Sequence, residues 1–186
     1  RRMQGEEVPF LRSMQKSHTR LAKLFHWGFI ILYSYGLLKQ LNDVSDLEDS
    51  RLLTFEVAFA SLFLFIVLMR YFYMSNFETF LGARQPVPPI HKYLARMIHI
   101  SMYVCLALLP LTGLVIAGLF AQGFKDGLMQ NVAVSLHEFF ASLSYLLISI
   151  HIAAAVYSRF RREGIWTAMV PILNEEWVLP NPVPDT

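Results

Sequence analysis

The 186-residue chain is 55% hydrophobic and 14% aromatic but only 16% charged. A soluble domain of this length carries about a quarter charged residues, so the composition points to a membrane protein. A lone cysteine, Cys105, itself inside an apolar stretch, excludes a disulfide framework and any thiolate-held zinc or iron–sulfur centre. The formal net charge of +2 says little as a sum, whereas the distribution of the charges orients the chain.

Residues 1–20 are polar and basic, with Arg1, Arg2, Arg12, Lys16 and Arg20 set against Glu6 and Glu7. Because this stretch precedes the first apolar run, no cleavable signal peptide is expected and the first span is a true span. Residues 21–41 are apolar apart from Lys23, His26 and the far end, long enough for a hydrocarbon core of about 30 Å. The connection at 42–50 carries Asp43, Asp46, Glu48 and Asp49. A second span follows at 52–74, with Glu56 near its start and Arg70 near its end. The polar linker 75–92 contains a proline-rich run at 85–89 that cannot be helical throughout, since each proline removes a donor and restricts its predecessor.

A third span at 93–120 holds His99 near its start and Leu109 to Gly113, with Pro110, where a kink is expected. After a short, nearly neutral loop, the fourth span at 133–158 leads into Arg159, Arg161 and Arg162. The tail beyond carries Trp166 and Trp177 and is too broken by prolines for a fifth span. The expected architecture is an all-α transmembrane four-helix bundle: a cytoplasmic N-terminal segment at 1–20, a membrane domain at 21–158 and a cytoplasmic tail at 159–186. Of the sixteen Lys and Arg, only Lys39, Arg51 and Lys125 lie on the side of the first and third connections. The positive-inside rule then makes both termini cytoplasmic, in agreement with the even number of spans, which puts both termini on one side.

The fourth span carries the chemistry. His137 and His151 are fourteen residues apart, nearly four whole turns, so both leave roughly the same helix face about 21 Å apart along the axis. Burying imidazoles in hydrocarbon costs several kcal/mol each, roughly, unless each has a partner, and a metal is the strongest partner an imidazole nitrogen has. A hydrogen bond to a neighbouring helix's carbonyl is the plain alternative. The topology puts His26 and His99 at the level of His151, while His137 stands at the opposite level without a second histidine. A four-helix bundle supplies a central slot in which two facing imidazoles can hold a haem iron. His18 and His91 lie in the polar flanks, where histidines are usually ordinary surface residues.

Several motifs taken together resemble the bacterial cytochrome b561 family: His26-Trp27, Ala95-Arg96-Met97-Ile98-His99, Pro110-Leu111-Thr112-Gly113, Leu136-His137-Glu138, and His151 with its basic exit. The resemblance covers residues 18–163. It implies a membrane cytochrome carrying b-type haem in the bacterial cytoplasmic (inner) membrane, passing electrons between the quinone pool and a redox partner. It assigns the inner haem iron to His26 and His151, and one ligand of an outer haem to His137. The outer haem's other ligand, a second-span histidine in the family, aligns with Glu56. A carboxylate is a poor ligand for low-spin haem, so haem b is implied at the inner level and the outer one stays open.

His99 matches a family histidine outside the ligand set; contact with a haem propionate, service to a quinone head group and substitution for a ligand all remain open. Arg96, with Arg20, Lys23 and Arg159, stands where propionates would point. Gly113 and Gly118 would let a helix or a flat cofactor approach closely. The four acidic residues of the first connection could steer a basic redox protein, or serve solvation alone. A second reading is a haem-containing or haem-free anchor or accessory subunit of a larger respiratory or photosynthetic membrane complex. No stand-alone substrate is identifiable, and lipid, not nucleic acid, is the expected surroundings.

Overall fold

A computed structural model of the chain describes residues 20–39, 44–77, 89–161 and Val170. The N-terminal segment to residue 19, His18, the proline run at 85–88 and the tail with Trp166 and Trp177 lie outside the described residues. Four α-helices, α1 (Arg20–Leu38), α2 (Ser50–Phe77), α3 (Pro89–Ala121) and α4 (Leu128–Phe160), make up the described chain, with one short 3-10 helix at Val44–Glu48. Each of the four is long and apolar enough to cross a membrane. The protein is an all-α, multi-pass membrane protein.

The helix bounds follow from the backbone chemistry at each end. Helix α3 begins at Pro89, where a proline's missing N–H costs nothing because the first turn has no intrahelical acceptor for it. It runs through the buried Pro110 to Ala121 as one helix. It stops at Gly123, whose φ of +91° is a left-handed conformation that glycine adopts without strain. There the amide of Phe124 reaches the Leu119 carbonyl at 2.9 Å and that of Gly123 the Phe120 carbonyl at 3.0 Å, a Schellman closure. Gly127, at φ +89°, turns the chain into α4. At about 1.5 Å per residue the 33-residue α3 and α4 reach about 50 Å, well beyond the hydrocarbon thickness.

Consecutive helices pack against each other, α3 with α4 most extensively, then α2 with α3, then α1 with α2. The core is thin: Phe29, Phe63, Val67 and Leu106 form it, with Tyr33, Met102 and Ile148 packed around. Outside it the apolar faces are open, with Leu38 at 85% exposure, Ile31 at 69% and Leu24 at 67%. On a soluble protein such a surface would aggregate; here it is the surface that meets lipid.

Several polar groups inside the bundle find partners within it. The Tyr33 hydroxyl and Ser144 Oγ lie 2.8 Å apart, tying α1 to α4, while Ser144 Oγ also donates to the Ala141 carbonyl at 2.7 Å. The Cys105 thiol donates to the Phe140 carbonyl at 3.1 Å, and buried Gln130 donates to Ile116 O at 3.3 Å. Removing either partner of the α1–α4 bond, by Tyr33→Phe or Ser144→Ala, is expected to destabilise the bundle by about 0.6 kcal/mol, with roughly 1.7 as a ceiling. Reversible unfolding in bicelles checks this, and the double variant should fall no further than the worse single one.

Candidate functional site

The end of the bundle where α1 and α3 begin and α4 ends gathers three imidazoles. His26 comes from the second turn of α1, His99 from the third turn of α3 and His151 from near the end of α4. The ring centroids of His26 and His151 are 6.5 Å apart, and those of His99 and His151 are 5.1 Å apart. The antiparallel order of the helices brings these three together, as their positions along the spans predict.

Two imidazoles bound to opposite sides of one metal have centroids roughly 6.3 Å apart, for metal–nitrogen bonds of about 2.0–2.1 Å. The His26–His151 spacing of 6.5 Å meets that span, whereas His99 at 5.1 Å from His151 is too close for it. Helices α1 and α4 also approach one another less closely along their backbones than sequential neighbours do. The donor set at this end, two imidazoles from different helices, therefore fits a group held through one iron. Among the described residues, no three His, Cys, Asp or Glu side chains converge to hold one ion jointly. What the bundle offers is a pair of imidazoles.

His99 carries its own constraint. Its Nδ1 is 2.6 Å from the Ala95 carbonyl one turn back, and a carbonyl can only accept, so the Nδ1 proton sits in that bond. Arg70, from α2, comes to the same end of the bundle. Its Nε donates to the Tyr103 hydroxyl at 3.1 Å, and its guanidinium lies 5.8 Å from the Phe29 ring, within cation–π range. Sequence reasoning saw Arg70 only as a charge near a span end. The cue it offered was a cation inside the last turns of an apolar helix, which must be paid for by partners. Of the other cations, Arg96 and Arg20 are exposed, and Lys23 and Arg159 are half-buried. His91 is exposed on the first turn of α3.

His137 stands at the opposite end, beside Pro110 and Gly113 of α3. Its Nδ1 lies 3.0 Å from the Leu109 carbonyl and 3.1 Å from Thr112 Oγ1. The carbonyl again fixes the proton on Nδ1, leaving Nε2 with its lone pair. Thr112 in turn donates into the Leu108 and Leu109 carbonyls at 2.9 and 2.8 Å. Gly113 faces the ring, and a Cβ there would meet His137 Cε1 at 3.4 Å, an ordinary van der Waals contact. Gly113 thus lies against the His137 ring, but the approach does not depend on the missing Cβ. At Gly118 a Cβ would meet nothing within 4 Å, so no approach depends on that glycine.

A cavity of about 410 Å³ opens beside His137, lined also by Glu56, Lys39, Glu138, Tyr33 and Phe59. Glu56 is brought to the level of His137, and it is ion-paired to Lys39 at the end of α1. The Lys39 ammonium also rests 3.9 Å over the Phe55 ring.

A family model described as prokaryotic cytochrome b561 matches residues 17–171. The chain belongs to the prokaryotic cytochrome b561 family. Neither a search of curated proteins nor a search of solved structures found a match. Family membership makes this membrane bundle a b-type cytochrome of electron transfer. The tautomer of His137 is open to direct measurement. Nitrogen-15 NMR of histidine-labelled, haem-free cytochrome should show neutral His137 protonated at Nδ1, and Thr112→Val should leave that assignment intact because the Leu109 carbonyl remains.

Proposed function

We propose that the cytochrome carries single electrons between the quinone pool and a redox partner through haem b held by His26 and His151. The observation that carries this reading is the 6.5 Å separation of the two rings, which suits imidazoles on opposite sides of one iron. A bound haem would supply a one-electron iron couple, and its being held by both His26 and His151 would suit electron transfer in place of oxygen or peroxide chemistry.

The chain's own residues do the rest. His26 and His151 approach from different helices, so the site exists only in the assembled bundle. His99 packs edge-on against His151 at 5.1 Å and limits the orientations that ring can take. Its own ring is held by the Ala95 carbonyl, as outer-shell partners hold metal-bound imidazoles elsewhere. Arg96 with Arg20, Lys23 and Arg159, and Arg70 from α2, supplies positive charge at this end for the carboxylates of a bound haem.

The excess of Lys and Arg at this end supports an orientation with both termini in the cytoplasm, hence a bacterial inner membrane location with the His26 level inside. A quinone approaching from the lipid would meet the open apolar faces of α1 and α4. Glu48 and the other acidic residues of the first connection would face a basic redox protein on the outer side. The rival reading is an anchor or accessory subunit. It draws on the same exposed α1 face, which would then seat a neighbouring helix in place of lipid.

Purified chain should show the pyridine haemochrome spectrum of haem b. His26→Ala and His151→Ala should each lower haem content at least tenfold, and His99→Ala should retain most of it. Full haem content in both the His26 and His151 variants would overturn the ligand assignment. A chain without haem that is stable only with partner subunits would favour the anchor.

A further inference from the structure

We infer that the loop end of the bundle, the level of His137, is not a second bis-histidine haem site, and that the Lys39–Glu56 ion pair is what closes it. This rests on the reading that His26 and His151 hold haem at the other end. Room is not what the loop end lacks. The cavity there measures about 410 Å³, a size at which pockets bury whole cofactors, and His137 on its wall presents a neutral-tautomer ring already anchored through Nδ1. The missing element is the opposing donor.

Among the described residues lining the cavity, His137 is the single imidazole. The side chains that α1 and α2 contribute in its place are Lys39 and Glu56, and each is committed to the other. An ammonium has three N–H bonds and no lone pair for a metal, and this one is further held 3.9 Å over the Phe55 ring. The carboxylate is a hard oxygen donor, ill-matched to low-spin haem iron, and its charge is neutralised by Lys39. Separating the pair to free either group would leave an uncompensated charge beside the apolar walls of Phe59 and Phe63.

The consequence is a cytochrome with one haem per chain, whose electrons enter and leave at the same end. Transfer across the full membrane would need a second chain or a diffusing carrier.

Haem per chain, measured by pyridine haemochrome on the full-length purified protein, should be one, and His137→Ala should leave it at one. The double variant Lys39→Leu, Glu56→His puts a second imidazole on the wall of the cavity that His137 lines. Haem content should rise to two, with a second low-spin signal in electron paramagnetic resonance that disappears when His137→Ala is added. Two haems in the unaltered chain, one lost with His137→Ala, would overturn the inference while leaving the His26–His151 site standing. A high-spin second haem would overturn the stoichiometry of one haem per chain, while bearing out the missing second imidazole. A double variant that folds and still holds one haem would overturn the role given to the Lys39–Glu56 pair. No haem in the unaltered chain would sink the underlying proposal instead. Should the double variant fail to fold, the stoichiometry of the unaltered chain and of His137→Ala decides the matter by itself.

Discussion

An imidazole in hydrocarbon must be given a partner, and helix α4 carries two of them about 21 Å apart. The arrangement of the bundle follows from how each is accommodated. His137 is met by α3, where the Leu109 carbonyl takes its Nδ1 proton and Gly113 faces the ring. His151 is met by two further imidazoles, from α1 and α3. One solution is complete within the protein; the other is an imidazole pair at the spacing that one metal bridges.

Between the two ends lies a ladder of aromatic rings. Phe29 packs against Phe63 at 5.2 Å, and Phe63 is followed by Phe59 at 6.3 Å and then Phe55 at 6.2 Å. Phe29 touches the Arg70 guanidinium at one end, and Phe55 lies beneath the Lys39 ammonium at the other. The rings thus connect two cations at opposite levels of the membrane through contacts of packing. Pairs of this kind add about 0.5–1.5 kcal/mol each beyond the area they bury, a useful contribution where the hydrophobic effect does not drive helices together. The exposed Lys125–Glu48 bridge on the loop side, at 3.1 Å and more than half exposed at both side chains, adds little.

Much of this was legible in the residues. Long apolar runs separated by charge or proline give the four spans, because backbone in lipid has few alternatives to a helix. The ends shifted by a few residues: α4 starts at Leu128 and not near 133, and α3 at Pro89 and not near 93, since hydropathy marks the membrane and not the hydrogen bonds that continue past it. The shared level of His26, His99 and His151 followed from antiparallel order alone. Which two lie at bridging distance did not, because that depends on how far apart α1, α3 and α4 stand. The 3-10 turn at Val44–Glu48 gave no periodic signal over five residues. The Lys39–Glu56 pair is readable in retrospect as opposite charges at facing ends of two consecutive spans, but the sequence does not say that it shares a cavity with His137. Arg70 was visible as a charge and invisible as a neighbour of Phe29 and Tyr103.

Helix α1 buries only Ala22 and Phe29 fully, yet it supplies His26. It meets α4 through the Tyr33–Ser144 bond, the facing imidazoles and the shared core around Phe29 and Ile148. A ligand shared between His26 and His151 would therefore act as a staple, adding its binding free energy to the docking of the most loosely attached helix.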